Sequence, residues 1–330
     1  MTTAAEGTGA RAFDSVLLDL DGVVYAGPHA VPGVPEALGT WADRGVPYGF
    51  VTNNAGRSAA TVAAHLRELG LRAEEDQVVT SAAVCARALA AEVPAGSRVL
   101  VVGAESLVAE LRAAGLDPVR KAADDPVAVV QGFHRGVDWE ELAEACVAIR
   151  AGAAWWVTNL DPTVPTERGL LPGNGAFVSV VRSTTGATYR ATGKPDAAML
   201  HHGARSIGGE RPLMVGDRLD TDIQGAVAAG YDSALVLTGV HDLHDALRAP
   251  AHMRPGRVVR TLTDLLEPMP VPHVFDSFAA ACNGVAVRID GRRLVTDEPG
   301  LDAANAALAL LATLPSATDL DLSAFPARPD

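Results

Sequence analysis

The sequence is poor in the features that mark several specialised protein classes. Only three of its 330 residues are cysteines, Cys85, Cys146 and Cys282, and no two of them have a metal-binding spacing. A disulfide framework or a zinc site is therefore disfavoured, and buried free thiols are expected. No apolar run is long enough to span a bilayer, and residues 1–11 lack the apolar stretch of a secretory signal. These absences predict a cytoplasmic protein with no membrane partner.

Positive charge is also scarce. Lys and Arg number 27 against 40 Asp and Glu, which gives a net charge of −13. Nucleic acid is disfavoured as a partner, because duplex binding needs a basic surface that neutralises phosphates. A small phosphate ester can still bind where a metal ion and a lysine reverse the charge of one pocket. The small-molecule partner we expect is of this kind.

What the sequence does contain is a large apolar fraction arranged in short runs. Hydrophobic residues make up 48% and charged residues 20%, a globular balance. Apolar runs that end at polar residues predict buried strands, and stretches with helical spacing predict helices between them. The predicted strands span 15–18, 48–51, 98–102, 128–131, 154–157, 213–215 and 233–237, and the predicted helices span 58–69, 105–114, 138–151 and 221–229. Asp138 and Glu141 have the spacing of a capping box.

The alternation of strands and helices predicts an α/β fold with a Rossmann-like, doubly wound parallel core sheet. We expect this core over residues 12–85 and 186–267, interrupted by an inserted α/β domain over 86–185. A Pro-rich linker at 268–272 precedes a small extension over 273–330. Two strands and an Ala/Leu-rich helix are predicted there, giving a ββα-like unit of unknown role.

The first candidate site segment is Asp19-Leu20-Asp21-Gly22, directly after a predicted strand. Residues two apart on an extended chain share a face, so Asp19 and Asp21 would lie together. One carboxylate can attack a phosphoryl group to form an aspartyl-phosphate, while the other serves as general acid and base. An ordinary Asp/Gly turn is the alternative interpretation of this segment taken alone.

Two further segments carry groups suited to phosphate. Thr52 and Asn53 follow another predicted strand and offer a hydroxyl and an amide. Lys194 could supply a positive charge to the phosphate or to the nucleophile. The alternatives are a polar turn before the next helix and a solvated surface lysine.

The fourth segment, residues 216–222, holds Asp217, Asp220 and Asp222 after an apolar strand. Mg²⁺ prefers one or two carboxylates together with waters and phosphate oxygens, and Asp217 at the strand end is the natural ligand. Asp222 could reach the metal or sit in the first turn of the following helix. Because the ends of parallel strands meet at one edge of a sheet, all four segments can converge there.

In this order the four segments resemble the signature motifs of the haloacid dehalogenase (HAD) superfamily. The resemblance implies Asp19 as nucleophile and metal ligand, and Asp21 as acid and base with its backbone carbonyl on Mg²⁺. It further implies Thr52 and Lys194 as phosphate-site residues, Asp217 as the third metal ligand, and Asp222 behind the ligands. The presence of Asp21 favours phosphatases over dehalogenases and ion-pumping ATPases of the superfamily.

The insertion resembles the C2-type cap of the subgroup that contains NagD, p-nitrophenyl phosphatases and phosphoglycolate phosphatases. Residues 161–175 are similar to the cap of actinobacterial glycerol 3-phosphate phosphatases, which also carry a C-terminal extension. We place Asn159, Asp161 and Arg168 near the roof of the site, with glycerol hydroxyls as partners of the first two. The alternative is that these residues only order a Pro/Gly-rich loop. The resemblance also implies a possible homodimer through the cap.

Together these features predict a Mg²⁺-dependent phosphomonoester hydrolase that acts on a small polar ester, with glycerol 3-phosphate as the preferred candidate. Hydrolysis of 2-phosphoglycolate or of p-nitrophenyl phosphate and related esters is the alternative within the same chemistry. A noncatalytic phosphoester sensor is the alternative from another class, and the intact pair Asp19 and Asp21 argues against it.

Overall fold

The computed structural model describes residues 13–166, 168–314 and 319–329. In chain order the strands are β1 (Ser15–Leu18), β2 (Tyr25–Ala26), β3 (His29–Ala30), β4 (Tyr48–Thr52), β5 (Val78–Thr80), β6 (Arg98–Val102), β7 (Asp117–Val119), β8 (Ala128–Gln131), β9 (Ala154–Val157), β10 (Thr163–Thr166), β11 (Gly169–Pro172), β12 (Arg190–Ala191), β13 (Pro212–Gly216), β14 (Asp232–Val236), β15 (Arg257–Val259), β16 (His273–Asp276), β17 (Ala279–Cys282), β18 (Val285–Asp290) and β19 (Arg293–Thr296). The α-helices are α1 (Val34–Asp43), α2 (Ala59–Glu68), α3 (Ser81–Ala90), α4 (Glu105–Ala113), α5 (Trp139–Arg150), α6 (Asn174–Thr185), α7 (Ala197–Ser206), α8 (Gln224–Ala229), α9 (Leu243–Arg248) and α10 (Leu301–Ala312).

The core sheet has the strand order β15-β14-β13-β1-β4-β5, and all its neighbours pair in parallel. β1 lies in the middle, with Leu18 opposite both Val215 of β13 and Phe50 of β4. Its four residues are all buried, as expected for a strand covered on both faces. The carboxyl ends of β1, β4 and β13 therefore meet at one edge, as the sequence predicts.

The second parallel sheet belongs to the inserted unit and has the order β12-β9-β8-β6-β7. The strands predicted over 98–102, 128–131 and 154–157 are confirmed at the same residues. However, β12 lies beyond residue 185, and the predicted border at residue 85 falls inside α3, whose Leu89 packs in the core of this sheet. We propose that the insertion runs from α3 through β12.

The C-terminal extension contains more strand than the sequence indicates. β16 to β19 form a four-stranded antiparallel sheet in which only the last two strands were expected. The missed strand β17 reads Ala-Ala-Ala-Cys, and alanine has low strand propensity, so the pattern gave no strand signal. Helix α10 docks this unit on the core: Asn305 of α10 accepts from Val258 N of the edge strand β15 (2.9 Å) and donates to Val258 O (3.1 Å). These bonds satisfy backbone groups at an open sheet edge.

Two local expectations are only partly met. Asp138 caps α5 by accepting from Glu141 N (3.0 Å), but the Glu141 carboxylate lies 2.6 Å from His134 Nε2 and does not complete the capping box. The helix predicted over 221–229 begins with a wide π-helical turn over Leu219–Ile223 before α8.

All three cysteines are free and buried, as expected. Within the described ranges, none of the helices combines the length and apolar character that crossing a membrane requires.

Candidate active site

Carboxylates from two neighbouring strand ends meet at the edge of the core sheet. Asp19 follows β1, Asp217 follows β13, and Asp222 lies in the π-helical turn after it. One oxygen from each of the three lies within 4.8 Å of the others. Three negative charges this close repel one another, so the cluster needs a positive partner. One such partner is a lysine. The negative charge of the three carboxylates that the lysine does not offset favours a bound cation.

The lysine that offsets part of this negative charge is Lys194, whose side chain is buried. Its Nζ lies 2.5 Å from Asp19 Oδ1 and 2.7 Å from Asp222 Oδ1, and it donates to Val51 O at 3.0 Å. The side chain is 2% exposed, so it is not the solvated surface lysine of the alternative interpretation. The Lys194–Pro195 peptide bond is cis.

Asp217 has the properties of a metal ligand. Its Oδ2 accepts from Val240 N at 2.8 Å, while the buried Oδ1 has no hydrogen-bond partner among the described residues. Burial, and secondarily the charge of Asp222, raises the pKa of Asp217 to about 7. A divalent cation would satisfy Oδ1 and stabilise the ionised form. These residues therefore fit the Mg²⁺ site that the sequence predicts.

The backbone packs closely around the same carboxylate. A Cβ atom on Gly22 would lie 2.4 Å from Asp217 Oδ2, and one on Gly239 would lie 2.0 Å from it. Gly22 also has φ +84°, a conformation that favours glycine. Asp217 thus lies between Gly22 and Gly239. Each of the two chain segments can approach it so closely only because the glycine has no side chain.

Asp222 and Asp21, two further acids of the site, differ in their surroundings. Asp222 Oδ1 forms an ion pair with Lys194 Nζ at 2.7 Å without hydrogen-bond geometry, and its Oδ2 accepts from Arg218 N at 3.1 Å. We propose that Asp222 holds Lys194 and lies behind the metal ligands. Asp21 is exposed to solvent. The surrounding protein still limits its hydration and raises its pKa, against the opposing charge of Arg57.

Thr52 and Asn53, the two residues predicted beside the phosphate at the end of β4, make different contacts. Thr52 is buried at the end of β4, and its Oγ1 accepts from Asn54 N at 3.1 Å. The amide of Asn53 binds the backbone of Lys194: Oδ1 accepts from Lys194 N (2.8 Å) and Nδ2 donates to Lys194 O (3.1 Å). Asn53 is thus placed to position the lysine, and its contact with phosphate stays a prediction.

Of the three residues predicted for the roof, Asp161 forms an ion pair with the core motif. Its Oδ1 accepts from Arg218 Nη1 at 3.1 Å, which joins the cap to the core motif. Asn159 is buried and donates to Asn53 O (2.8 Å) while accepting from Asp161 N (3.2 Å). These bonds position the loop and leave little of the amide for glycerol hydroxyls. Arg168 is exposed in the turn between β10 and β11, apart from this cluster.

Sequence reasoning missed the role of Arg218. The residue also contacts Asp220, through Nε to Oδ1 (3.0 Å) and Nη2 to Oδ2 (2.7 Å), so its guanidinium bridges an acid of the core and an acid of the cap. An arginine between two aspartates was visible in the motif. Its second partner, 57 residues earlier in the chain, was not.

Comparisons with known proteins agree with this geometry. Residues 16–117 match a family model of haloacid dehalogenase-like hydrolases, and residues 191–265 match a HAD-hydrolase-like model. A D-glycerol 3-phosphate phosphatase of Mycobacterium tuberculosis is 48% identical over 256 residues, covering 78% of this chain and 72% of the relative. The 5'-nucleotidase YutF of Bacillus subtilis is 38% identical over 247 residues, covering 73% and 95%.

A solved structure extends the similarity to most of the chain. The crystal structure of a glycerol phosphate phosphatase from Mycobacterium tuberculosis in complex with magnesium superposes with a TM-score of 0.81 at 42% identity, covering 91% of this chain and 90% of that one. The strand order, the converging carboxylates and these relatives lead to one conclusion. The chain belongs to the haloacid dehalogenase-like hydrolases and groups with the phosphatases among them.

Proposed function

We propose that this protein hydrolyses a small phosphomonoester, with glycerol 3-phosphate as substrate, through a phosphoenzyme on Asp19. The observation that carries the proposal is the convergence of Asp19, Asp217 and Asp222 within 4.8 Å around the buried Lys194. Such a site combines a nucleophile with groups that hold a cation and a phosphate. The substrate is supported by the names of the most similar relatives.

In the first step, a carboxylate oxygen of Asp19 bonds to phosphorus while the bond from phosphorus to the ester oxygen breaks. The electron pair leaves with the alcohol oxygen, which takes the proton of Asp21. The raised pKa of Asp21 supports this role, because it increases the protonated fraction near neutral pH. Lys194 holds Asp19 in place for attack.

In the second step, Asp21 as carboxylate takes a proton from water, whose oxygen bonds to phosphorus. The bond from phosphorus to Asp19 breaks, inorganic phosphate leaves, and both aspartates return to their initial states. Thr52 at the end of β4 can donate its hydroxyl hydrogen to a phosphate oxygen. Mg²⁺, held by Asp19, Asp217 and the predicted backbone carbonyl of Asp21, would supply positive charge that offsets the negative charge of the transferring group.

Substrate selection is assigned to the cap through Asp161. This carboxylate is anchored to Arg218 and lies above the core motif, so it can accept a hydrogen bond from a substrate hydroxyl. Other relatives are named as a 5'-nucleotidase and as p-nitrophenyl phosphatases, so phosphatases similar to this chain act on different phosphate esters. The experiment therefore has to compare several esters.

The test is a phosphate-release assay with glycerol 3-phosphate, 2-phosphoglycolate, p-nitrophenyl phosphate and a nucleoside 5'-monophosphate, each with and without Mg²⁺. We expect glycerol 3-phosphate to give the highest kcat/KM, and only with Mg²⁺ present. Asp19→Asn should be inactive, and Asp14→Asn, a matched change just before the start of β1, should remain active. Undiminished release by Asp19→Asn would refute the covalent mechanism, and no release from any ester would favour the sensor.

Two further predictions concern the setting of the protein. A cytoplasmic location rests on composition alone. The homodimer through the cap is supported by exposed apolar side chains on α5 and α6, where Val147 is 56% and Val180 is 49% exposed. Light scattering on the wild type and on Val147→Glu would test it, with a dimer that the variant weakens as the expected result.

A further inference from the structure

The loop of residues 237–241, which follows β14, holds the proposed metal ligand Asp217 from one side. Val240 N donates to Asp217 Oδ2 (2.8 Å), and His241 N donates to Asp217 O (3.1 Å). Thr238 Oγ1 donates to Gly22 O (2.7 Å), which ties the loop to the segment after β1. This loop therefore fixes which oxygen of Asp217 remains for a cation.

The loop is itself held by an arginine from the far end of the chain. Arg328 Nη1 donates to Leu237 O at 2.6 Å, and Nη2 donates to Gly239 O at 2.8 Å. One planar guanidinium thus spans two carbonyls of the loop, a geometry that a flexible ammonium group cannot reproduce. Gly239 is also the residue whose backbone lies against Asp217.

The segment that carries Arg328 is anchored near α9. Leu243 N donates to Ala327 O (2.9 Å), and His244 Nε2 lies 2.7 Å from Phe325 O. Phe325 is buried in the apolar cluster that the extension shares with Leu235 and Val258 of the core sheet. Arg328 therefore reaches the loop from a fixed base.

We propose that Arg328 is a positioning residue for the metal site, and that one role of the C-terminal extension is to brace loop 237–241 against Asp217. The proposal rests on the assignment of Asp217 as a Mg²⁺ ligand. Groups that orient metal ligands from outside the coordination sphere typically change metal affinity about 10–100-fold when they are lost. Because Arg328 acts through the loop, we expect an effect at the lower end of that range.

The test is calorimetric titration of Mg²⁺ into the full-length protein without substrate. Arg328→Met should raise the Kd for Mg²⁺ on the order of 10-fold, and Arg328→Lys should fall between it and the wild type. Removing a positive charge would by itself tighten cation binding, so the direction of the change separates positioning from charge. Arg292→Met, which removes another arginine of the extension paired with Asp319, should match the wild type.

An unchanged or lowered Kd in Arg328→Met would overturn the proposal, as would an equal rise in Arg292→Met. If Arg328→Met does not fold, as judged by circular dichroism, Arg328→Lys decides: a Kd equal to that of the wild type overturns the proposal. Asp217→Asn distinguishes a failure of the metal-ligand assignment from a failure of the role of Arg328. If that variant binds Mg²⁺ as the wild type does, the assignment of the metal ligand fails, whatever Arg328 does.

Discussion

Lys194 Nζ contacts Asp19 Oδ1 at 2.5 Å, although 175 residues of chain separate the two. Burial, the largest influence on Lys194, lowers its pKa, but Asp19 and Asp222 together raise the pKa above its ordinary value. The lysine is therefore charged in the folded protein. The proposed nucleophile Asp19, the buried cation Lys194 and the carboxylate of Asp222 therefore form one ion-paired cluster.

Removal of this cation should destabilise the protein. Lys194→Met leaves two buried carboxylates without their partner, and breaking a buried ion pair from one side costs about 3–5 kcal/mol. We expect urea denaturation of the metal-free protein at neutral pH to show a loss of that size in the free energy of unfolding. Lys121→Met, at an exposed lysine paired with Glu144, should change the free energy of unfolding by less than about 1 kcal/mol. Equal stabilities of the two variants would contradict the buried unit.

The raised pKa of Asp217 makes a pH prediction for the metal-free protein. Its pKa is about 7 when folded against 3.8 ordinarily, so the folded state binds more protons between these values. Stability from this group is present below pH 3.8 and is lost as the pH rises through about 7. Asp217→Asn lacks this titration. The stability of the wild type relative to Asp217→Asn should therefore fall as the pH rises across this interval, as measured by urea denaturation.

Mg²⁺ should reverse that trend, because it binds the ionised carboxylate and competes with the proton. The stabilisation by a fixed Mg²⁺ concentration should be larger at pH 8 than at pH 5 in the wild type and absent in Asp217→Asn. Thermal melts at the two pH values measure it. A Mg²⁺ effect that is independent of pH would contradict the role of Asp217.

The contact between Arg218 and Asp161 should couple the cap to catalysis. A double-mutant cycle with Arg218→Met and Asp161→Asn, read in kcat/KM for the preferred ester, should give a coupling of about 0.5–3 kcal/mol. Arg218→Met paired with Arg168→Met is the matched control, since Arg168 is exposed in the β10–β11 turn. Additive effects in the first cycle would show that the ion pair does not act in the reaction.

Much of the site could be predicted because its residues follow strands that the sequence marks clearly. The apolar runs before Asp19, Thr52 and Asp217 fix three parallel strand ends, and parallel ends meet at one edge. Lys194 was a candidate because of its positive charge, and the resemblance supplied its role at the phosphate site. The expectations for the strand ends needed only local patterns and a general property of sheets.

The contacts between distant segments could not be predicted in this way. The sequence indicated an amide at Asn53 suited to phosphate but did not show that this amide bonds to the backbone of Lys194. Asn159 looked suited to substrate, but it bonds to Asn53 O. A polar side chain shows which bonds it can form but not which partner folding brings to it. The contacts of Arg218 and Arg328 could not be predicted for the same reason.

The covalent role of Asp19 is tested most directly by rapid mixing with p-nitrophenyl phosphate in the presence of Mg²⁺. Asp21→Asn keeps the nucleophile but lacks the base, and loss of general acid–base catalysis slows a step about 10²–10⁴-fold. p-Nitrophenolate leaves readily without a proton, so this variant should release one equivalent per active site in a burst and then turn over slowly. Asp19→Asn should give no burst. Release by Asp19→Asn, or slow release by Asp21→Asn without a burst, would contradict a phosphoenzyme on Asp19.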